Sequence, residues 1–434
     1  MAMEFIVETI HEETIKPSSP TPLNQKIFKL SLLEQIAPTI YIPVIFWYLN
    51  DTDAAAADFS KAKEISQRLK KSLSKTLGRF YPFAGRMRSS WIECNDEGVD
   101  FIEARVNCLL QDIFKQPDGE LLKKLLPMRL ESPEAATGRI LLVKVNFFQC
   151  GGMAIGVNIS HKVADLSTLS IFIESWAAMA QGSSEVVRSE LVTASSLFPH
   201  MDLPSKVLEM EFKGQKFATR RLVFDASKIL TLKAQAASTD VPQPTRVEAV
   251  TALIWKCAMA ASTSNRGGFT KPSVLAQAVN LRKRMKPPLP ENCIGNLVYG
   301  FIAQTPDCET ELQGLVQQLR NGIREFCENS AGSFTISSIL EDSKTYEKLY
   351  ERENVDYYCC TSWCRFQPYG TDFGWGKPRW VSLGGVTPPN YFILMDSSDS
   401  EGIEAWLSLT EAEMAFFERN EELLAFVSVN PSVI

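Results

Sequence analysis

Two apolar runs followed by a helical pattern stand out in the first half of the chain. Residues 139–150 are rich in β-branched and aromatic side chains, Gly151 and Gly152 follow, and residues 153–160 form a second apolar run. Two such runs joined by Gly-Gly predict a tight antiparallel hairpin. Residues 166–180 carry apolar side chains at helical spacing. Residues 161–165 therefore connect a buried strand to a helix, and reactive side chains are often presented at such a junction.

Strand-like and helix-like patterns alternate in both halves, which predicts an α/β fold. The predicted helices are 54–77, 245–261 and a final helix, 410–426, opened by a capping box at Thr410 and Glu413; the predicted strands include 217–224 and 403–409. Around residues 195–216 the patterns dissolve, and Pro199 and Pro204 interrupt them. This segment is the best candidate for a linker.

Length and composition are those of a two-domain globular protein. The 434 residues exceed one compact core and predict two domains of roughly 200 residues each. Hydrophobic residues make up 45% and charged residues 22%, as in ordinary globular proteins. The net charge of -6 argues against a nucleic-acid binder, which would carry a basic surface. No apolar run reaches the ~18 residues of a membrane span. The first 13 residues are acidic and contain no Lys or Arg, so we expect no secretory leader and a cytoplasmic protein.

The ten cysteines include one cluster that invites a metal interpretation, Cys359, Cys360 and Cys364. The cluster lacks paired C-x-x-C motifs, and no histidine lies near it in the sequence. We therefore expect reduced, mostly buried thiols and no bound metal.

The chain has three histidines, and one of them is placed for chemistry. His11 lies in an acidic segment and His200 in the candidate linker, whereas His161 follows a buried strand. By elimination, His161 is the leading candidate for a base that works at neutral pH. A hydrogen-bonded core histidine is the alternative. Asp165, four residues later, would either contact His161 directly or fix the turn by pairing elsewhere.

A second motif is Asp-Phe-Gly-Trp-Gly at residues 372–376. Its two glycines flank Trp375 and permit a backbone path that side chains would block. The pattern favours a glycine-rich turn packed by aromatic side chains. A kinase interpretation fails because the chain has no H-R-D loop and no upstream G-x-G-x-x-G loop.

Residues 161–165 (H-x-x-x-D) and 372–376 (D-F-G-W-G) together resemble the paired signature of the plant BAHD acyltransferases. Residues 81–86 (Y-P-F-A-G-R), 277–282 (Q-A-V-N-L-R) and 361–363 (T-S-W) resemble further segments of that family. Their order and spacing match from end to end. Segments 16–22, 94–98, 150–152 and 280–290 are similar to the vinorine-synthase-like branch of alkaloid and terpenoid O-acetyltransferases.

The resemblance implies two chloramphenicol-acetyltransferase-like domains with a solvent channel at their interface. The expected boundaries are 1–198 for the first domain, 199–216 for the crossover linker and 217–434 for the second domain, with part of 370–395 packing on the first. We also expect a monomer, and the charge and the short apolar runs predict that it binds no nucleic acid or membrane. An acyl-CoA co-substrate would enter from one face, a small alcohol acceptor from the other, and they would meet at His161.

The resemblance also implies roles for individual residues. His161 is expected to be the general base, Thr361 and Trp363 to stabilise the oxyanion, and Asp165 to pair with Arg282. Asp372 is counted with the catalytic residues of the family, although we expect it to hold the turn. Lys256, Arg282 and Arg284 are the candidates for contacts with the coenzyme A phosphates. Leu166 departs from the family, where Gly is common, and predicts that the helix begins directly after Asp165 and reshapes the channel.

Acetyl transfer from acetyl-CoA to an alkaloid or terpenoid alcohol is therefore the expected activity, with malonyl-CoA as the alternative donor. A serine hydrolase is disfavoured because there is no G-x-S-x-G motif. A Cys150–His161 pair is disfavoured because an intervening strand would hold the two about 25 Å apart. A homologue that binds ligands without catalysis would keep the same fold.

Overall fold

The computed structural model describes residues 5–50, 59–128, 132, 134–183, 194–203, 216–290, 292–305, 311–330, 336–350, 352, 354–385 and 387–433. Within these ranges the strands are β1 Val7–Ile15, β2 Ile27–Lys29, β3 Tyr41–Tyr48, β4 Arg86–Arg88, β5 Trp91–Glu93, β6 Val99–Val106, β7 Leu141–Phe148, β8 Met153–Ser160, β9 Phe217–Phe224, β10 Ser273–Asn280, β11 Val298–Thr305, β12 Asp356–Ser362, β13 Trp380–Ser382, β14 Tyr391–Asp396, β15 Ile403–Thr410 and β16 Ser428–Val429. The α-helices are α1 Leu32–Ile36, α2 Phe59–Leu77, α3 Leu110–Lys115, α4 Gly119–Lys123, α5 Glu134–Thr137, α6 Leu166–Ala180, α7 Ala226–Ala236, α8 Arg246–Asn265, α9 Leu312–Ser330, α10 Ile336–Tyr350, α11 Glu411–Phe417 and α12 Glu421–Leu424.

The first sheet has the strand order β1-β6-β7-β8-β3-β13. The predicted hairpin is confirmed: β7 and β8 pair antiparallel, and the following helix is α6. Every residue of β3 and β8 is buried. A strand covered on both faces has no solvent side, which explains why these two read as continuous apolar runs rather than as alternating patterns. Helices α2 and α6 pack against each other beside this sheet.

The second sheet has the order β11-β10-β12-β14-β15-β9-β16, and a small third sheet has the order β2-β5-β4. Helix α8 packs in the hydrophobic core of the second sheet, which we call the second core. The helix begins at a capping box, in which Thr245 Oγ1 accepts from Glu248 N and Glu248 Oε2 accepts from Thr245 N. Two mixed sheets with packed helices confirm the predicted α/β class.

The two sheets exchange segments. Strand β13 joins the first sheet by pairing with β3, although the neighbouring β14 belongs to the second sheet. Trp380 of β13 stacks on Trp47 with ring centroids 5.4 Å apart, and Trp47 Nε1 donates to Ser382 Oγ at 2.9 Å. In the other direction, Leu32 and Leu33 of α1 pack into the second core. The domain boundaries at 198 and 217 stay a prediction, and residues 204–215 of the predicted linker lie outside the described residues.

Two sequence predictions need correction or restriction. The final helix is not continuous over 410–426: α11 ends at Phe417, and Asn420 starts α12 by accepting from Leu423 N through its side chain. The predicted helix 54–77 is seen from Phe59 onward, and residues 54–58 lie outside the described part. None of the helices in the described part combines the length and the apolarity that crossing a bilayer would require.

Candidate active site

A cavity opens between the two sheets beside His161. We call it the reaction cavity; its walls come from the end of β8 and the start of α6, from the start of β3, and from β10, β12 and β14. The wall is mainly apolar, and its chemically active side chains include His161, Thr361 and Trp363. Asp165, Leu166 and Asn280 also line the cavity. Residues from both halves of the chain thus meet around one histidine.

His161 is half-buried at the end of β8, and its ring lines the reaction cavity. Its backbone N–H donates to the Ile40 carbonyl at 2.8 Å, which ties the turn to the start of β3. Burial lowers the pKa of His161 below its usual 6.5, and the carbonyls of His161 and Ala164 and the charge of Asp165 partly oppose this effect. The imidazole is therefore kept neutral at physiological pH, as a base requires.

Asp165 caps α6 and points away from the histidine ring. Its Oδ1 accepts from Thr168 N at 2.8 Å, and its Oδ2 accepts from Arg282 Nη1 at 2.6 Å and from Leu297 N at 3.0 Å. Both Asp165 and Arg282 are 2% exposed. Burial alone would raise the pKa of Asp165, but the Arg282 guanidinium and the N–H donors hold it below its usual range. The turn that carries His161 is thus fixed from the second half of the chain.

Two further residues of this site, Asn296 and Glu34, were missed in the sequence. Asn296 Nδ2 donates to the His161 carbonyl at 2.7 Å and lies 3.2 Å from Nδ1 of the ring. Behind it, the fully buried Glu34 accepts from Asn296 N at 3.4 Å and from Ser31 N at 2.7 Å, and burial raises the pKa of its carboxyl to about 7. Ser31-x-x-Glu34 is a readable capping box, but nothing local indicates that it supports the histidine turn.

Thr361 and Trp363 reach the same cavity from the end of β12. Trp363 N donates to the Leu394 carbonyl at 2.6 Å, which fixes the backbone at this point. Leu166 lies opposite, at the first position of α6. The helix does begin directly after Asp165, as predicted, and the leucine side chain occupies wall space that glycine would leave open.

The Asp-Phe-Gly-Trp-Gly segment forms a turn outside the reaction cavity. Asp372 Oδ1 accepts from Gly374 N at 2.7 Å and from Gly376 N at 3.0 Å. Both glycines have positive φ, +100° and +103°, which side chains rarely adopt. Phe373 packs on Trp176, with ring centroids 4.9 Å apart, so the turn is anchored on the first core. Asp372, counted above with the catalytic residues, does not line the reaction cavity.

The expected contacts of Lys256, Arg282 and Arg284 with coenzyme A phosphates stay a prediction. Lys256 lies outside the reaction cavity and pairs with Glu422 at 2.9 Å. The buried Arg282 guanidinium donates to Asp165, to Thr168 Oγ1 and to the carbonyls of Cys293 and Gly295. Arg284 stays half-buried beside the reaction cavity, with Nη1 3.4 Å from the Asn280 carbonyl.

The cysteine cluster lies in and after β12. Burial raises the pKa of each of the thiols of Cys359, Cys360 and Cys364 to about 12, so they stay protonated at neutral pH. Among the residues that the structure describes, His11, Glu13 and Glu103 are the group with metal-ligand geometry, and the Lys70 ammonium already pairs with both carboxylates there.

Comparison with known proteins gives the class. A family model described as the Transferase family matches residues 5–424. The chain is 37% identical over 429 residues to 17,18-epoxy-17-hydroxycur-19-ene N-malonyltransferase of Strychnos nux-vomica, covering 98% of this chain and 91% of that protein. It is 35% identical over 434 residues to limonoid 21-O-acetyltransferase of Melia azedarach, covering 97% and 98%. The crystal structure of vinorine synthase superposes with a TM-score of 0.86 at 36% identity, covering 99% of this chain and 100% of that one.

The chain therefore belongs to this transferase family, the BAHD acyltransferases. It is an acyl-CoA-dependent acyltransferase of plant specialised metabolism, with the fold of vinorine synthase.

Proposed function

We propose that the enzyme transfers an acetyl group from acetyl-CoA to a hydroxyl of an alkaloid or terpenoid alcohol, with His161 as the general base. The observation that carries the proposal is the imidazole in the wall of a cavity built by both halves of the chain, directly after the end of β8. A relative that is a limonoid O-acetyltransferase supports acetyl as the acyl group and a hydroxyl as the acceptor.

In the proposed reaction, Nδ1 of His161 carries the proton toward the backbone carbonyls of His161 and Ala164, and the Asn296 amide donates to the His161 carbonyl and not to the ring. Nε2 is then free to take the proton of the acceptor hydroxyl as the oxygen attacks the thioester carbon. General-base assistance of this kind contributes about 10²–10⁴ in rate. The 2.7 Å contact from Asn296 to the His161 carbonyl holds the turn in place.

Attack forms a C–O bond and places negative charge on the former carbonyl oxygen. The Thr361 hydroxyl and the Trp363 indole N–H, both in the cavity wall, are the proposed donors to this oxyanion. One such donor typically contributes about 10²–10³ in rate. The C–S bond then breaks, and the His161 imidazolium returns its proton to the coenzyme A thiolate. No acyl-enzyme is needed.

A malonyl donor is the second candidate, because one relative is an N-malonyltransferase. A malonyl group carries a carboxylate, which would call for a cation at the acyl site. None of the described residues that line the reaction cavity is a lysine or an arginine. This absence from the described wall favours the uncharged acetyl group.

The test of the proposed function is a coenzyme A release assay with acetyl-CoA and malonyl-CoA across a panel of alkaloid and terpenoid alcohols. The products are identified by mass spectrometry. We expect acceptor-dependent release with acetyl-CoA, an O-acetyl product, and a lower kcat/KM with malonyl-CoA. Malonylated products formed at least as fast would contradict the choice of donor. Release that never depends on an acceptor would contradict transfer itself.

The lowered pKa of His161 predicts the pH dependence of the reaction. The base works in its neutral form, so the acid limb of kcat/KM should have its midpoint below pH 6.5, where the imidazole becomes protonated. Lys162, whose pKa burial lowers to about 8, can add a separate change on the alkaline side. An acid limb with its midpoint above pH 6.5 would contradict His161 as the titrating group.

A further inference from the structure

Leu166 separates the reaction cavity from a small space beyond it, which we call the apolar recess. Leu166, Trp363 and Phe366 belong to the walls of both. The recess lies between β3, α6, β13 and β14, and it has room for about one water-sized group. The Leu166 side chain, half-buried at the first position of α6, thus lies between the reacting thioester and an apolar space that is nearly filled. Its apolar lining includes Val44, Leu169, Ile173, Val381 and Met395.

The geometry of the proposed reaction directs the acyl chain toward this recess. The oxygen and the alkyl group of a thioester are bonded to the same carbon, and Trp363 is one of the two proposed donors to that oxygen. An oxygen held by the Trp363 indole therefore places the alkyl group beside Leu166 and Phe366, which share both cavity walls with Trp363. An alkyl group in this position contacts apolar side chains rather than water, which is favourable.

Hydrogen bonds hold both sides of this passage in place. On one side, Asp165 Oδ1 accepts from the backbone of the first turn of α6 at 2.8 Å, which fixes the turn that carries Leu166. On the other side, next to Phe366, Arg365 N donates to Asp396 Oδ2 at 2.6 Å. Walls fixed in this way do not move aside readily for an added methylene, because overfilling a packed space forces side chains out of their preferred rotamers.

We propose that Leu166 restricts the transferred acyl group to acetyl, because its side chain blocks a longer acyl chain from entering the apolar recess. This selection rests on the proposed function, since it concerns the acyl end of the donor whose thioester reacts at His161. One extra methylene in an apolar pocket changes discrimination by about 10- to 200-fold. Alanine at position 166 lacks the branched end of leucine, which would join the recess to the reaction cavity and admit propionyl and butyryl chains.

The test compares acetyl-CoA, propionyl-CoA and butyryl-CoA with the wild type, Leu166→Ala, Leu166→Met and Ile171→Ala. Binding of each thioester is measured by calorimetry without an acceptor, and kcat/KM is measured with one accepted alcohol. Leu166→Met nearly conserves the volume of the side chain. Ile171→Ala is a matched truncation at another half-buried position of α6, which is not among the described residues that line either cavity.

We expect the wild type, Leu166→Met and Ile171→Ala to favour acetyl-CoA over butyryl-CoA by roughly 10- to 200-fold in kcat/KM, and to bind butyryl-CoA more weakly. Leu166→Ala should lose most of both preferences while its melting temperature stays close to that of Ile171→Ala. Leu166→Val should shift both preferences in the same direction by a smaller factor, and it replaces the alanine variant if that protein does not fold.

A wild type that binds and uses butyryl-CoA as well as acetyl-CoA would overturn the proposal, as would a folded Leu166→Ala protein that keeps the preference for acetyl. The binding measurement needs no acceptor and no turnover, so it separates this inference from the proposed function. A chain-length preference in binding that depends on Leu166, found with a protein that transfers no acyl group, would support the role of Leu166 even if the proposed reaction were wrong.

Discussion

Replacement of Arg282 by methionine will lower the free energy of unfolding by about 3–5 kcal/mol. Methionine keeps the length and the apolar stem of the side chain but removes the cation. Asp165 would remain 2% exposed without its ionic partner, and an uncompensated buried charge is among the most destabilising changes known in proteins. The carbonyls of Cys293 and Gly295 would each lose the hydrogen bond from Arg282, while Thr168 Oγ1 would still donate to Gly295.

Urea unfolding followed by circular dichroism measures this effect, with Arg88→Met as the control. Arg88 pairs with Glu93 on the surface, where both side chains are more than 40% exposed, so its loss should cost less than about 1 kcal/mol. The double variant Asp165→Asn, Arg282→Met removes both charges and should be less destabilised than the sum of the single variants. An Arg282→Met protein as stable as Arg88→Met would show that the buried pair does not fix the turn.

Replacement of His161 by alanine will reduce acetyl transfer by about 10²–10⁴. The ring lies in the cavity wall, and its removal leaves the hydrogen bonds of the His161 backbone to Ile40 and Asn296 in place. The melting temperature and the circular dichroism spectrum should therefore stay close to those of the wild type. His11→Ala, at an exposed position of β1, is the matched control and should keep full activity.

The loss should appear in kcat and in kcat/KM by similar factors, because the base acts only as the transition state forms. Uniform weakening of acceptor binding would instead raise KM alone. A His161→Ala enzyme that has lost both activity and its cooperative unfolding transition would assign the histidine to the fold and not to the reaction.

Local patterns predicted the elements next to the site well. The second hairpin strand, the helix after Asp165 and the strand 217–224 have the predicted bounds, because each is defined by the apolar residues within its own segment. The final helix was predicted too long because the Asn420 cap, which restarts the helix, lies inside a stretch that is polar and helix-forming on both sides. A cap competes with continuation of the helix, and the periodic pattern does not reveal which one wins.

The parts of the site that sequence reasoning missed depend on contacts between distant segments. The support of His161 by Asn296 joins residues 135 positions apart, and Glu34 reaches the same turn from a further 127 positions upstream of His161. Lys256, which the sequence analysis associates with the coenzyme, pairs with Glu422 from the far end of the chain, a contact that local patterns do not reveal. Motifs identify the candidate reactive side chains, whereas tertiary packing determines which of them line the same cavity.

Single-turnover kinetics with enzyme in excess over acetyl-CoA test the central claim most directly, because they report the chemical step without product release. The rate of coenzyme A formation in the presence of an accepted alcohol should fall by about 10²–10⁴ in His161→Ala, while acetyl-CoA binding stays the same. A single-turnover rate within a few fold of the wild type would mean that the imidazole in the reaction cavity is not the base.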